Sequence, residues 1–324
     1  MTLNSNYPPL GRQQATSDTY AAQGLRLAEK LAKTTGSSDP SIIAASFLAS
    51  ANRYSQRTFR LYKAQLIEHM TRHRVAPGVI KVLMDASSKN CTKKGGPGTS
   101  GNKAKKISQV DRELLLARLR KSGAATSCLA ADYFEAGLLI GPRPAEWAGA
   151  ELRVISTPRP LDAPATATHL LKLPNAKRDM NGVRGNGDFR LVYASLSAAE
   201  AALITRVIAD ATKNEHSWAA HYNRLRVSLF HAGKMLWPKR AKIPCFYTTR
   251  HQAQADAKAT GMRLNEIAAI YGHASDNTAT SHYARKSSGD KNMCKVAATA
   301  VSLARVRNQE ATSKHLLRER RNSL

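Results

Sequence analysis

Acidic residues are in short supply: 23 Asp and Glu face 50 Lys and Arg across 324 residues, a formal net charge of +27. With a pI near 10.3, that shortage makes a polyanion the expected partner, because basic charge supplies the sequence-independent, salt-dependent part of nucleic-acid affinity. A basic protein without such a partner is the weaker reading, since self-repulsion on this scale opposes folding. Cysteine is sparse too. Cys91, Cys128, Cys245 and Cys294 lie far apart with neither CxxC nor metal-ligand spacing, the pattern of reduced packing thiols in a cytoplasmic protein. Long hydrophobic runs are missing: the N-terminus (MTLNSNYPPLGRQQ) has no apolar region, and runs such as IIAASFLASA are short and rich in small residues. Neither a signal peptide nor a membrane span is expected. No fixed-period repeat stands out. Gly96 and Gly101 have P-loop spacing, but Asn102 and Lys103 follow where Lys-Ser/Thr is required and no strand precedes them, which excludes nucleotide binding there.

What is present divides the chain. Residues 1–17, with Pro8, Pro9 and Gly11, read as a flexible arm. Residues 18–86 read as a small helical domain, with helices over 19–33, 40–51, 55–73 and 78–86. In the third, Phe59, Tyr62, Leu66 and Ile67 share one face, leaving Arg57, Arg60 and Lys63 on a basic side. Residues 87–107 hold six lysines, among them Lys93, Lys94, Lys103, Lys105 and Lys106, with no acid between Lys89 and Lys106; this describes a flexible cationic linker. A second domain starts near Ser108. Ser108, Asp111 or both can cap a helix ended by Gly123, and an apolar helix over 124–140 should be central to its core. Gly141 ends it, and Pro144 suits the start of another helix with Glu146 in its first turn, so Arg143 sits between two helices. Residues 168–173 (THLLKL) and 189–194 (FRLVYA) are strand candidates flanking an Asn/Gly-rich hairpin. Helices return over 197–213 and 217–236, and a last one near 291–307 leads into a basic tail. The expected fold is mainly α with a small antiparallel β-sheet (α+β).

The chemistry gathers near the C-terminal end. Tyr247, Arg250 and His251 precede Tyr271, Gly272 and His273, then His282 and Tyr283. Thr249 and Gln252 fit a capping box, which would start a helix with Arg250 in its first turn, and an earlier start would bring Tyr247 close to Arg250. Helix N-termini and arginines both favour phosphate. Leu264, Ile267, Ala268 and Tyr271 form an apolar stripe, with Gly272 suited to the C′ position and His273 oriented by it. Such a set can hold a phosphate, move a proton and offer a phenol. Taken singly, each residue is more often a surface charge, a packing aromatic or a cap.

In combination and order, these residues resemble the tyrosine recombinase (phage integrase) family. The resemblance covers about residues 108–290. It runs from Gly141-Pro-Arg143-Pro-Ala-Glu146, through Asn175-Ala-Lys177 on the hairpin and Tyr247-Thr-Thr-Arg250, to Tyr271-Gly272-His273 and finally Tyr283. It implies a catalytic domain over 108–290, a helical core-binding domain over 18–86, a linker over 87–107, and a C-terminal helix and tail over 291–324. Two departures stand out: Tyr247 replaces a histidine, and the interval from His273 to Tyr283 is one residue longer than in the family pattern.

The resemblance implies a site-specific DNA recombinase that cleaves and rejoins strands for integration, excision or resolution of a mobile element. Tyr283 would be the nucleophile, forming a 3′-phosphotyrosyl bond. Arg143 and Arg250 would clamp the phosphate oxygens, Lys177 would protonate the leaving oxygen, and His273 would hydrogen-bond the phosphate and assist proton transfer. Tyr247 would hydrogen-bond it in the histidine's place, and Glu146 would orient its neighbours. Lys172 and Arg178 rival Lys177, while Tyr271, Tyr247 and Tyr222 are less suited rivals of Tyr283. No metal or other cofactor is implied. The implied partners are a double-stranded DNA site, a homo-tetramer on two duplexes and an accessory DNA-bending or directionality protein; the implied location is cytoplasmic, at the nucleoid. A catalytically impaired DNA-binding protein of the same fold, a relaxing topoisomerase and an RNA-binding protein are the alternatives.

Overall fold

In the computed structural model the residues described are 14–91, 104–176, 187–275 and 286–307. The chain divides into two units, residues 1–101 and 102–324. The first is built from α1 (Gln14–Thr35), α2 (Pro40–Ala49), α3 (Gln56–Arg72) and α4 (Pro77–Asp85). Its helix starts are encoded locally. Asp39 accepts from the Ser41 N–H at 2.7 Å with Pro40 at the first helical position, and Ser55 accepts from the Thr58 N–H at 3.2 Å. Phe59, Leu66 and Met70 lie one and two turns apart on α3, and they bury against Leu31, Phe47 and Leu83. Phe47 and Phe59 stack with ring centroids 4.9 Å apart. Each large side chain buried this way stabilises the fold by roughly 1.5–3 kcal/mol. Helix α1 starts at Gln14, so the last residues of the expected arm are helical.

The second unit begins before Ser108. The Ala104 carbonyl accepts from Thr248 Oγ1 at 2.7 Å, and the buried Ile107 donates its N–H to Gln252 at 3.1 Å. Residues 104–107 therefore belong to this unit and not to a free linker. Cys91 at the other end packs on the first core. Ser108 is the cap of α5 (Gln109–Lys121), accepting from the Asp111 N–H. Helix α6 (Ala125–Ile140) has buried residues around most of its surface and packs against α5, α7 (Ala198–Lys213), α8 (Trp218–Leu236) and α9 (Phe246–Ala259). Then follows α10 (Leu264–Ile270). One antiparallel sheet, in chain order, joins β1 (Glu151–Val154), β2 (His169–Pro174), β3 (Phe189–Ala194) and β4 (Val296–Ala298). The fold is thus mainly α with a small antiparallel sheet. Among the described residues no helix is long and apolar enough to cross a membrane.

Two expected helices are corrected. After Pro144 the chain makes only a 3₁₀ turn, Pro144–Glu146, before entering β1. The region expected as a helix over 291–307 instead holds a 3₁₀ turn (Lys291–Met293), β4 and the short α11 (Ala300–Ala304). Its alanine-rich sequence suits a helix, but pairing with the open edge of β3 satisfies the backbone, and Val296 enters the core. Thr299 then caps α11 through the Ser302 N–H at 3.1 Å.

Candidate functional site

Helix α6 ends at Gly141, whose φ is +70° and where an added Cβ would lie 2.7 Å from Tyr271 and 2.8 Å from Ala253. Only glycine turns the chain so closely against α9 and α10. Arg143 lies between two prolines and is extended, at φ −71° and ψ 148°, as the residue before a proline prefers. The 3₁₀ turn then carries Glu146 back beneath it. The Glu146 carboxylate accepts from the Arg143 N–H at 2.7 Å and from Arg143 Nη1 at 2.6 Å. Both side chains are buried.

Arg250 approaches the same carboxylate from α9, with Nη1 at 3.8 Å from Glu146 Oε2. Its helix begins earlier than Thr249 and Gln252 suggest. Cys245 is the N-cap, and Thr248 Oγ1 accepts from the Cys245 N–H at 2.9 Å. Thr249 is instead interior, donating to the Phe246 carbonyl at 2.8 Å. This register puts Tyr247 one turn before Arg250 on a neighbouring face, half-buried. Arg250 Nη1 donates to the Gly141 carbonyl at 2.9 Å, and Nη2 to the Tyr271 carbonyl. The guanidinium therefore joins the carboxyl ends of α6 and α10, where helix dipoles favour a cation.

At the end of α10, Gly272 has φ +63°, and an added Cβ would meet Asn175 Oδ1 at 2.3 Å. The His273 N–H bonds back to the Ala268 carbonyl at 2.8 Å and the Gly272 N–H to that of Ala269 at 3.3 Å, a Schellman cap. His273 is thereby aimed at Arg250, with Nε2 at 3.2 Å from Nη2. An arginine offers only donors, so Nε2 is the acceptor and the imidazole is neutral. Burial first, then the positive charges of Arg250, Arg143 and Arg190, hold the His273 pKa well below its ordinary value, against the opposing pull of Glu146.

Arg190, on β3, is a member of this cluster that its sequence position gave little reason to expect. It is 1% exposed and donates to Glu146 Oε2 at 2.8 Å. Burial alone would raise the Glu146 pKa, but Arg190, Arg250 and Arg143 together bring it well below the usual carboxylate range. Three guanidiniums and one carboxylate leave a formal +3 − 1 = +2 at the cluster. The surplus suits an anion.

The structure therefore gathers Arg143, Glu146, Arg250 and His273, with Tyr247 a turn away. Lys177 and Tyr283 lie outside the described residues, as do the rival Arg178 and the linker lysines Lys93, Lys94 and Lys103. Their flanks are held. Asn175 accepts its hairpin partner's approach by donating its N–H to the Asp188 carbonyl at 2.8 Å and Nδ2 to that of Gly187 at 3.0 Å. Beyond Tyr283, Gln252 Nε2 donates to the Ser288 carbonyl at 2.8 Å and the Asp290 N–H to Asp256 at 2.9 Å. Lys172, the other rival for the lysine role, is paired with Glu151 at 2.7 Å. Tyr271 is fully buried, which pushes its hydroxyl pKa well up, and Tyr222 stacks on Trp218 with its pKa also raised by burial. Both are packing residues.

The expected DNA-contacting residues separate into kinds. Arg57 and Arg60 are exposed on α3, although Arg60 Nε also donates to Ser88 Oγ at 3.1 Å. Lys63 is half-buried and donates to the Met84 and Ala86 carbonyls at 3.1 and 2.9 Å, closing the end of α4. Lys105 and Lys106 are exposed beside a cleft of about 660 Å³ that Arg112, Arg240 and Lys242 also line. Among the described residues, no group of three or more His, Cys, Asp or Glu could hold a metal ion. No protein-family model matches the chain, and no curated protein matches it significantly.

Proposed function

We propose that this protein is a DNA strand transferase of the tyrosine recombinase kind, breaking and rejoining DNA at a specific site through a 3′-phosphotyrosyl intermediate. The observation that carries the reading is the convergence of Arg143 and Arg250, from distant parts of the chain, on the single carboxylate of Glu146, with neutral His273 beside them. A phosphodiester carries one negative charge, and the pentacoordinate transition state carries more. A fixed cluster with a formal surplus of +2 (+3 from three arginines, −1 from Glu146) stabilises the transition state more than the ground state.

In the proposed reaction the Tyr283 oxygen attacks phosphorus as its phenol gives up its proton. The bond from phosphorus to the 5′-oxygen breaks, and Lys177 protonates that oxygen as it leaves. Neutral His273 can take up a proton near the phosphate. Rejoining reverses these steps with a 5′-hydroxyl as the nucleophile, so the phosphotyrosyl bond conserves the energy of the broken strand. The first unit and the basic segment around Lys105 and Lys106 would hold the duplex, and a tetramer would align two of them. A second reading, a DNA-binding protein that does not cleave, is favoured by Tyr247 standing where the family has a histidine.

The test is covalent capture. The purified protein is incubated with sheared DNA from the genome that encodes it, and with nicked duplexes made from whatever fragments are retained. We expect an SDS-resistant adduct whose peptide contains Tyr283 joined to a 3′-phosphate, and no adduct with Tyr283→Phe. An adduct on another tyrosine would show that the nucleophile is misassigned. Site-specific retention without any adduct would establish the non-cleaving reading.

A further inference from the structure

We infer that Arg190 is a positioning residue of this site: its guanidinium locks the base of the β2–β3 hairpin and the turn before His273 onto Glu146. The inference rests on the phosphoryl-transfer reading above and adds to it a part that touches no substrate. Arg190 occupies the inward face of β3 together with Val192 and Ala194, where an aliphatic side chain would suffice for packing. A buried guanidinium there carries a desolvation cost that only well-formed pairing offsets.

Its acceptors explain why the pairing is made. Nη2 donates to Glu146 Oε2 at 2.8 Å, Nη1 to Asn175 Oδ1 at 2.7 Å and the Pro174 carbonyl at 3.4 Å, and Nε to the Ile270 carbonyl at 2.6 Å. Each belongs to a segment that carries a site residue. Glu146 holds Arg143; Pro174 and Asn175 immediately precede Ala176 and Lys177; Ile270 closes the helix whose cap aims His273. The Ala176 N–H adds its own contact to Glu146 Oε1 at 3.3 Å. The planar fork of an arginine can satisfy three such directions at once, whereas a lysine presents a single point charge. Asn175 is the intermediate link. It receives Arg190 on Oδ1 while its Nδ2 closes the hairpin mouth on Gly187.

The test separates proton delivery from phosphate clamping. Full-length wild type, Arg190→Met, Asn175→Ala and Arg143→Ala are compared on two duplexes carrying the captured cleavage site. One has an ordinary scissile phosphodiester, the other sulfur in place of the leaving 5′-oxygen. A thiol leaves with a pKa near ~8.5 and needs no proton donor. On oxygen we expect Asn175→Ala to slow adduct formation about tenfold and Arg190→Met about a hundredfold, within the range that positioned acid–base groups contribute. On sulfur, Asn175→Ala should return to within about threefold of wild type, Arg190→Met should recover in part, and Arg143→Ala should not recover.

If both positioning variants match wild type on oxygen, or if Asn175→Ala is equally slow on both duplexes, Arg190 is only a structural ion pair. Asn175→Ala removes no charge from the cluster, so it decides the matter if Arg190→Met fails to fold. Should wild type form no adduct on either duplex, the phosphoryl-transfer reading fails and this role fails with it. If wild type reacts and the variants do not behave as stated, this role alone is wrong.

Discussion

Two sets of cations in this protein work by opposite rules. On α3, Arg57 and Arg60 are exposed to solvent, where salt screens their charges within roughly 8–10 Å, although Arg60 Nε also donates to Ser88 Oγ. At the junction of α6, α9 and β3, Arg143, Arg190 and Arg250 are all buried around Glu146. There water contributes little screening, and the hydrogen bonds fix each guanidinium. The exposed set can attract any polyanion. The buried set can bind only an anion of the right shape, and it exists only because one carboxylate neutralises part of it. Composition reports both sets as a single number, yet only the second has the fixed geometry of a candidate site.

Removing that carboxylate should break the contrast most severely. Glu146→Gln leaves three buried guanidiniums without a counter-charge, and breaking a buried pair this way costs about 3–5 kcal/mol. Urea denaturation at neutral pH should show the loss. The wild-type pH dependence follows from the depressed Glu146 pKa. Its stabilisation is complete above the unfolded value near 4.5 and is lost as pH falls through that value toward the lower folded one. The variant should lack this acid-sensitive component. A variant as stable as wild type would mean that the arginines are neutralised elsewhere.

Next in size is Arg250→Lys, which keeps the charge and removes the fork. The proposed cleavage should fall about two to three decades in single-turnover adduct formation, equivalent to roughly 3–4 kcal/mol of barrier. Affinity for the duplex should change by no more than a few-fold. A cleavage rate within threefold of wild type would show that charge alone suffices and that the geometry at Gly141 and Tyr271 is incidental.

Much of this arrangement could be read from the chain because its signals are local. Ser108, Ser197 and Ser55 cap the expected helices, Gly141 and Gly272 end them, and the strand pair 169–174 and 189–194 follows the two β-rich runs. Arg190 was hidden by a register that local pattern does not determine. In FRLVYA, the bulky Phe189, Leu191 and Tyr193 look like the buried face. Pairing Leu173 with Arg190 and Leu171 with Val192 turns the other face inward. On the bulky face Tyr193 is buried too, with its hydroxyl donating to Asp162 at 2.7 Å, and Arg305 lies over Phe189 with 5.3 Å to the ring centroid. The segment over 291–307 was expected as a helix, because a strand as short as Val296–Ala298 has no alternation to detect.

A smaller effect concerns His273. The fold holds it neutral, while the unfolded chain protonates it near its ordinary value of 6.5. Stability should therefore decline as pH falls below 6.5, because the unfolded state takes up a proton that the folded state refuses until lower pH. His273→Gln should flatten the stability curve in that window while leaving the carboxylate-linked loss below 4.5 in place. Denaturant midpoints measured every half pH unit separate the two windows. If the slope between pH 6.5 and 5 is unchanged by the substitution, His273 is not the buried neutral base described here.

The smallest effects test the exposed set against a residue that only resembles it. Lys63 shares the basic side of α3 with Arg57 and Arg60, but its ammonium closes the end of α4 on the Met84 and Ala86 carbonyls. Lys63→Ala should cost about 0.5–1.5 kcal/mol of stability in the first unit, the usual worth of such bonds. Arg57→Gln should leave stability unchanged. Its effect should appear in DNA affinity, reducing the slope of log K against log salt by about one if the residue neutralises a single phosphate. Lys63→Met, which keeps most of the apolar stem, should resemble Lys63→Ala in stability and leave the salt slope intact. A lower slope for Lys63→Met with no loss of stability would move this lysine from the helix end to the set proposed to face DNA. The contrast on α3 would then be one of degree and not of kind.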